Sequence, residues 1–135
     1  MIRIFLILFL ALLISCGGEK KNTGADKAYA LLEEVWNYNS SGDKQTALLL
    51  ADSALAIGGA DTTRCWLMCE KAVALQDMGR TADAVRTGTE ALRLADKIGD
   101  TEAIMNLHGT VGIASRREGK LAPAVCQYKM GLDMA

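Results

Sequence analysis

The chain has 135 residues, with 15 Lys+Arg against 16 Asp+Glu, four Cys, one Pro and one His, and half its residues are hydrophobic although only 5% are aromatic. This length bounds it to one small domain, and the shortage of aromatics beside abundant Ala, Leu and Gly argues against a β-sandwich and for helices packed through small side chains. The near-neutral balance gives no general electrostatic case for nucleic acid. A single His, no Gly-rich phosphate loop and no His/Cys cluster at metal spacing lead us to expect no enzyme, no cofactor and no metal.

Residues 1–15 read as a segment separate from the fold. Met1, Ile2 and Arg3 form a short basic start, and residues 4–14 are uninterruptedly apolar. A helix of that length spans only about 16 Å, too short for a hydrocarbon core of about 30 Å. A signal peptide fits better. The run ends in Leu13, Ile14, Ser15 and Cys16, which resembles the lipobox of bacterial lipoproteins; the alternative is an uncleaved anchor with an incidental Cys. The resemblance implies a diacylglyceryl thioether on Cys16, cleavage after Ser15 and a bacterial cell-envelope protein held by two or three acyl chains, a firm membrane anchor. Gly17 stands where an Asp would resemble an inner-membrane retention signal, so the outer membrane is expected. Residues 16–26, almost without apolar side chains, read as a flexible tether.

From residue 27 the pattern is helical and repeats. Asp26 is expected to open a first helix that Ser41, Gly42 and Asp43 break, and the second helix stops at Gly58 and Gly59. Asp61, Thr62 and Thr63 open the third helix, which Gly79 ends; Thr81 opens the fourth, which Gly99 ends. Asp100, Thr101 and Glu102 open the fifth, Gly119 closes it, and Pro123 is tolerated in the first turn of the sixth. Anchored on Gly42, Gly79 and Gly119, the three stretches place small residues in register: Ala47, Ala84 and Ala124 after the turn, and Val35, Ala72 and Gly112 before it. Ala54, Ala91 and Gly131 follow twelve residues after each Gly, trailed by Leu55, Leu92 and Leu132. Small residues at matching positions let paired helices approach closely.

This register resembles the tetratricopeptide repeat. Tyr38 fits its first aromatic slot, where Leu75 and Ser115 depart, and Tyr128 fits its second, where Ala51 and Gly88 depart. The resemblance implies an all-α fold in which three antiparallel helix hairpins, residues 27–59, 61–98 and 101–135, stack as a short right-handed solenoid. The Ile98, Gly99, Asp100 joint is similar to those of repeats in bacterial regulators and sensor kinases.

In that family the first helix of each pair lines a concave, partner-holding surface. Carried over by register, the groove would hold Tyr29, Leu32, Trp36, Asn39 and Ser40, then Trp66, Cys69, Val73, Gln76 and Asp77, and finally Asn106, Gly109, Ile113, Arg116 and Arg117. Aromatics would anchor apolar side chains, amides would pair with peptide backbone and the Arg pair would fork onto a carboxylate. Trp36 and Trp66 fit packing between hairpins as well, and Arg116 and Arg117 fit a solvated helix end near its negative dipole. The Lys and two Asn of a carboxylate clamp are not assembled, so a chaperone-tail receptor is not expected. Cys65, Cys69 and Cys126 read as small core residues, and His108 as a structural histidine. Two functions follow: a lipid-anchored adaptor or scaffold binding a protein or peptide, or the N-terminal sensory or assembly segment of a larger regulator. The second is suggested by a sixth helix with no polar capping helix, which also allows self-association.

Overall fold

Thr23 opens the first helix through a reciprocal capping box: its hydroxyl oxygen accepts the Asp26 amide at 3.3 Å, and the Asp26 carboxylate accepts the Thr23 amide at 3.1 Å. The computed structural model describes residues 23–134, so the apolar run, the Cys16 lipobox and most of the expected tether lie outside the described residues. Six helices follow in order: α1 (Gly24–Ser41), α2 (Lys44–Ile57), α3 (Asp61–Asp77), α4 (Thr81–Ile98), α5 (Thr101–Arg117) and α6 (Leu121–Asp133). The chain is all-α, and the described residues contain no strand.

The expected start at Asp26 moves three residues earlier, into the segment read as a tether. The Thr23 capping box and tertiary packing together account for the shift. The first turn of α1 sits on the end of the first hairpin: a Cβ on Gly24 would lie 3.4 Å from the Ile57 side chain, and one on Gly59 would lie 3.4 Å from Ala28 Cβ.

The turns repeat because the same chemistry repeats. Gly42, Gly79 and Gly119 take left-handed backbone with φ of 93°, 78° and 77°, where a side chain would be strained. Beyond Gly79 the Arg80 amide donates to the Leu75 carbonyl at 2.8 Å, and beyond Gly119 the Lys120 amide donates to Ser115 at 2.9 Å. Gly99 ends α4 in the same way, with the Asp100 amide on the Ala95 carbonyl. These bonds satisfy carbonyls that a helix end leaves without partners. The Asp43 and Asp100 side chains then cap α2 and α5 by accepting the amides of Thr46 and Ala103.

Each helix packs on the next in sequence, and α3 also packs on α1 and on α5. Among the described residues the second helices α2, α4 and α6 do not pack on one another. The first helices therefore form an inner row, with the second helices spread outside it. Small side chains make this possible: Val35, Ala47, Ala54, Ala72, Ala84, Ala91 and Ala124 are all buried. One group of core residues joins Val35, Leu48, Leu67 and Leu75 across α1 to α3, and a second joins Cys65, Leu92, Ile104, Leu107 and Val111 across α3 to α5. Gly88, which departs from the aromatic slot, lies where α4 meets α5: a Cβ there would stand 2.5 Å from Val111 Cγ2.

The register weakens at the ends. Leu92 is buried, but Leu132, its equivalent in the third copy, is 75% exposed, and Met130 and Met134 beside it are exposed too. Tyr38 is exposed where its equivalents Leu75 and Ser115 are buried, because among the described residues α1 packs only on α2 and α3. Val125 and Tyr128 have side chains outside the described residues. No helix among the described residues is long and apolar enough to cross a membrane.

Candidate functional site

The inner row encloses an open cleft of about 540 Å³. It is lined by Leu32, Glu33, Trp36 and Asn37 from α1, Trp66 and Glu70 from α3, and Glu102 and Asn106 from α5. On every helix the lining residues fall four apart, the spacing that stacks side chains on one helical face. One long face from each of three helices thus meets a common space.

Two of these side chains are held in place by their neighbours. The Trp66 indole N–H donates to Asp100 Oδ2 at 3.0 Å, while Asp100 Oδ1 accepts the Ala103 amide at 3.0 Å. One carboxylate therefore caps α5 and sets the position of the Trp66 ring. Asn39, buried near the end of α1, donates from Nδ2 to the Glu70 backbone carbonyl at 3.0 Å and to Glu70 Oε2 at 2.7 Å. Trp36 has no such restraint and is 59% exposed. A large exposed indole beside a fixed, half-buried one gives the cleft two aromatic surfaces.

The structure brings together four of the fifteen expected groove residues, Leu32, Trp36, Trp66 and Asn106, and redistributes the others. Tyr29 and Ser40 are exposed on α1 outside the cleft, and Val73 and Ile113 are half-buried and do not line it. Cys69 is a correction: it is buried with Ala91 and Leu107 and does not open onto the cleft. Gln76 is buried as well, its Nε2 3.4 Å from Asp77 Oδ1, while Asp77 pairs with Lys44 at 2.9 Å. Arg117 does not present a free fork, because its Nη1 donates to the Gln76 carbonyl at 2.7 Å. Arg116 is exposed in the last turn of α5, outside the cleft. Gly109 lines a second, smaller hollow of about 240 Å³ with Met105, Asn106, Gly131 and Leu132.

Sequence reasoning passed over Glu33, Asn37, Glu70 and Glu102. A signal was present: Glu33 and Glu70 each stand nine residues before a turn glycine. Exposed glutamates on helices are so ordinary that the coincidence carries weight only once the faces are seen to converge.

The remaining chemistry-bearing groups sit elsewhere. Cys65 and Cys69 are buried free thiols, and burial, more than any neighbouring charge, pushes both up, Cys69 well above the usual thiol range. They are neutral core side chains. Cys126 departs from the core expectation: it is exposed, with its Sγ 3.9 Å from Met130 Sδ. His108 is buried, as expected, with its Nδ1 2.6 Å from Gln127 Oε1. No three His, Cys, Asp or Glu among the described residues are grouped to hold a metal ion. A scan against protein-family models and searches of curated proteins and of solved structures each found no match.

Proposed function

We propose that the chain is a repeat module of the tetratricopeptide kind, lipid-anchored through Cys16 in the bacterial envelope, that binds an extended segment of a partner protein in the cleft between α1, α3 and α5. The observation that carries this reading is the convergence of Trp36 and Trp66, one exposed and one fixed by Asp100, on a single open cleft. Large aromatics lose little side-chain freedom on binding and dominate the energy of many interfaces. The contact pattern supports the fold side of the reading: the first helix of each later pair packs on both helices of the pair before it, as expected of stacked repeats that build an extended binding face.

Trp66→Ala tests it. Loss of a binding anchor weakens partner capture by roughly 30-fold with little change in melting temperature, since a hot-spot side chain is worth about 2 kcal/mol or more. A melting temperature that falls as far as for Leu92→Ala assigns Trp66 to packing instead. A photo-crosslinker at Asn37 identifies the partner by mass, and its adducts should vanish in the Trp66→Ala background. For the anchor, Cys16→Ala should move the protein out of the membrane fraction, and an unmodified Cys16 in mass spectra rules the lipoprotein reading out.

A second reading, the sensory or assembly segment of a larger regulator, is favoured by the apolar surface of α6, where Met130, Leu132 and Met134 are exposed. Native mass measured at cellular concentration separates the two.

A further inference from the structure

We infer that the occupant of the cleft is basic: an extended stretch of a partner protein that lays an Arg or Lys side chain across the indoles of Trp36 and Trp66 and against Glu33, Glu70 and Glu102. This rests on the binding-module reading above and adds the sign of the ligand's charge.

Charge complementarity sets the sign of the occupant. Among the described residues three carboxylates line the cleft and no Lys, Arg or His does. Among the described residues none of the three is paired with a cation, although ion pairs are common elsewhere on the surface. Three cations on the same helices or their neighbours already have other partners: Lys44 pairs with Asp77, Lys71 with Asp52, and Arg117 with the Gln76 carbonyl. The described lining of the cleft therefore carries one sign of charge, which raises the local concentration of cations.

Glu70 is the best placed of the three. It is half-buried, and Asn39 holds one of its oxygens at 2.7 Å with a neutral amide. The amide orients the carboxylate and leaves its charge intact. Its second oxygen, Oε1, accepts no hydrogen bond among the described residues. The same position is a glutamate in the preceding repeat, Glu33, so two successive repeats offer a carboxylate to one extended chain. Indole faces add to this, because their negative quadrupole attracts a cation within about 6 Å of the ring centre, and a guanidinium also stacks flat on them. An acidic segment meets repulsion from all three glutamates, the reverse of the carboxylate-holding role that Arg116 and Arg117 suggest from sequence.

The test is to pan a random dodecapeptide library on the full-length chain in detergent and to measure the selected peptides by titration calorimetry. We expect the pool to be enriched in Arg and Lys. The best binder should weaken about threefold to fivefold with Glu70→Gln, which keeps an oxygen for Asn39, and about tenfold or more with Glu33→Gln added. Its affinity should fall steeply with salt in the wild-type chain and less steeply in the double variant. Peptides that lose affinity with Trp66→Ala yet show no basic enrichment, or bind the glutamine variants unchanged, overturn the basic occupant and leave the cleft reading standing. Peptides indifferent to Trp66→Ala overturn the cleft reading and this inference with it.

Discussion

Asp100 shows how much one side chain can carry. It caps α5 through one oxygen and holds the Trp66 indole through the other, so the two roles can be separated by chemistry. Asp100→Asn keeps an oxygen for the Ala103 amide, and Asn caps about as well as Asp, but the amide that replaces Oδ2 cannot accept the indole hydrogen. We predict a small loss of stability, under about 1 kcal/mol from the weakened dipole interaction, together with a changed near-ultraviolet circular dichroism of Trp66 and weaker peptide binding. Asp100→Ala should lose the cap as well, about a further 1 kcal/mol. Equal stability losses in the two variants, with Trp66 spectra unchanged, would show that the indole bond positions nothing. The cysteines allow a second test at this scale. Burial raises the Cys65 and Cys69 thiols, and thiolates, not thiols, attack alkylating reagents. Iodoacetamide at pH 8 should label Cys126 in the folded protein and reach Cys65 and Cys69 only on unfolding. Rapid native labelling of Cys69, read by peptide mass, would mean that α3 opens locally.

At the scale of the helices, close approach decides which glycines are needed. Gly88 faces the Val111 methyl at a distance no Cβ can share, whereas a Cβ on Gly109 meets nothing within 4 Å. Ala has the higher helix propensity at both sites by about 0.5–1 kcal/mol, so the two substitutions should differ in sign. Gly109→Ala should stabilise by up to that amount. Gly88→Ala should destabilise by about 1–3 kcal/mol, because Val111 is buried and β-branched and cannot turn away. Denaturant midpoints decide it, and a stabilising Gly88→Ala would mean that α4 and α5 are free to separate. Helix starts carry a pH dependence. Hydrogen bonds from Thr23 hold the Asp26 carboxyl below its ordinary value of 3.8, and Thr46 does the same for Asp43. Lowered carboxyl values mean that the stabilisation is present above about pH 3.8 and is lost as pH falls through the lower folded values. The first turns of α1 and α2 should therefore fray in acid before the helix interiors, visible as amide exchange at Asp26 and Thr46. Uniform loss along α1 would contradict this.

For the whole molecule, what could be read from sequence was whatever depends on neighbours along the chain. Gly42, Gly79, Gly99 and Gly119 mark turns because only glycine suits their backbone, and Asp43 and Asp100 mark helix starts because their oxygens reach amides three residues on. The register of Ala47, Ala84 and Ala124 likewise follows from spacing. The cleft depends on which faces of α1, α3 and α5 converge, and that rotation is set by packing: Trp66 and Asn106 share the expected register, while Cys69 turns into the core and Glu70, one residue on, faces the opening. The same packing predicts an uneven stability. Each helix is stabilised by the helices it packs on, and among the described residues α3 has four such neighbours where α1 has two and α6 has α5 alone. Amide exchange should be slowest in α3, around the fully buried Leu67 and Leu75, and fastest in α6. Substitutions should follow the same gradient. Leu67→Ala removes a core side chain and should cost about 2–5 kcal/mol, while Leu132→Ala at an exposed site should change stability by no more than about 0.5 kcal/mol. If α6 exchanges as slowly as α3 in the full-length protein at high concentration, and Leu132→Ala destabilises by more than about 1 kcal/mol, then another subunit covers Met130 and Leu132. Repeating both measurements at successive dilutions would expose it, because stabilisation by association fades with concentration and stabilisation within one chain does not.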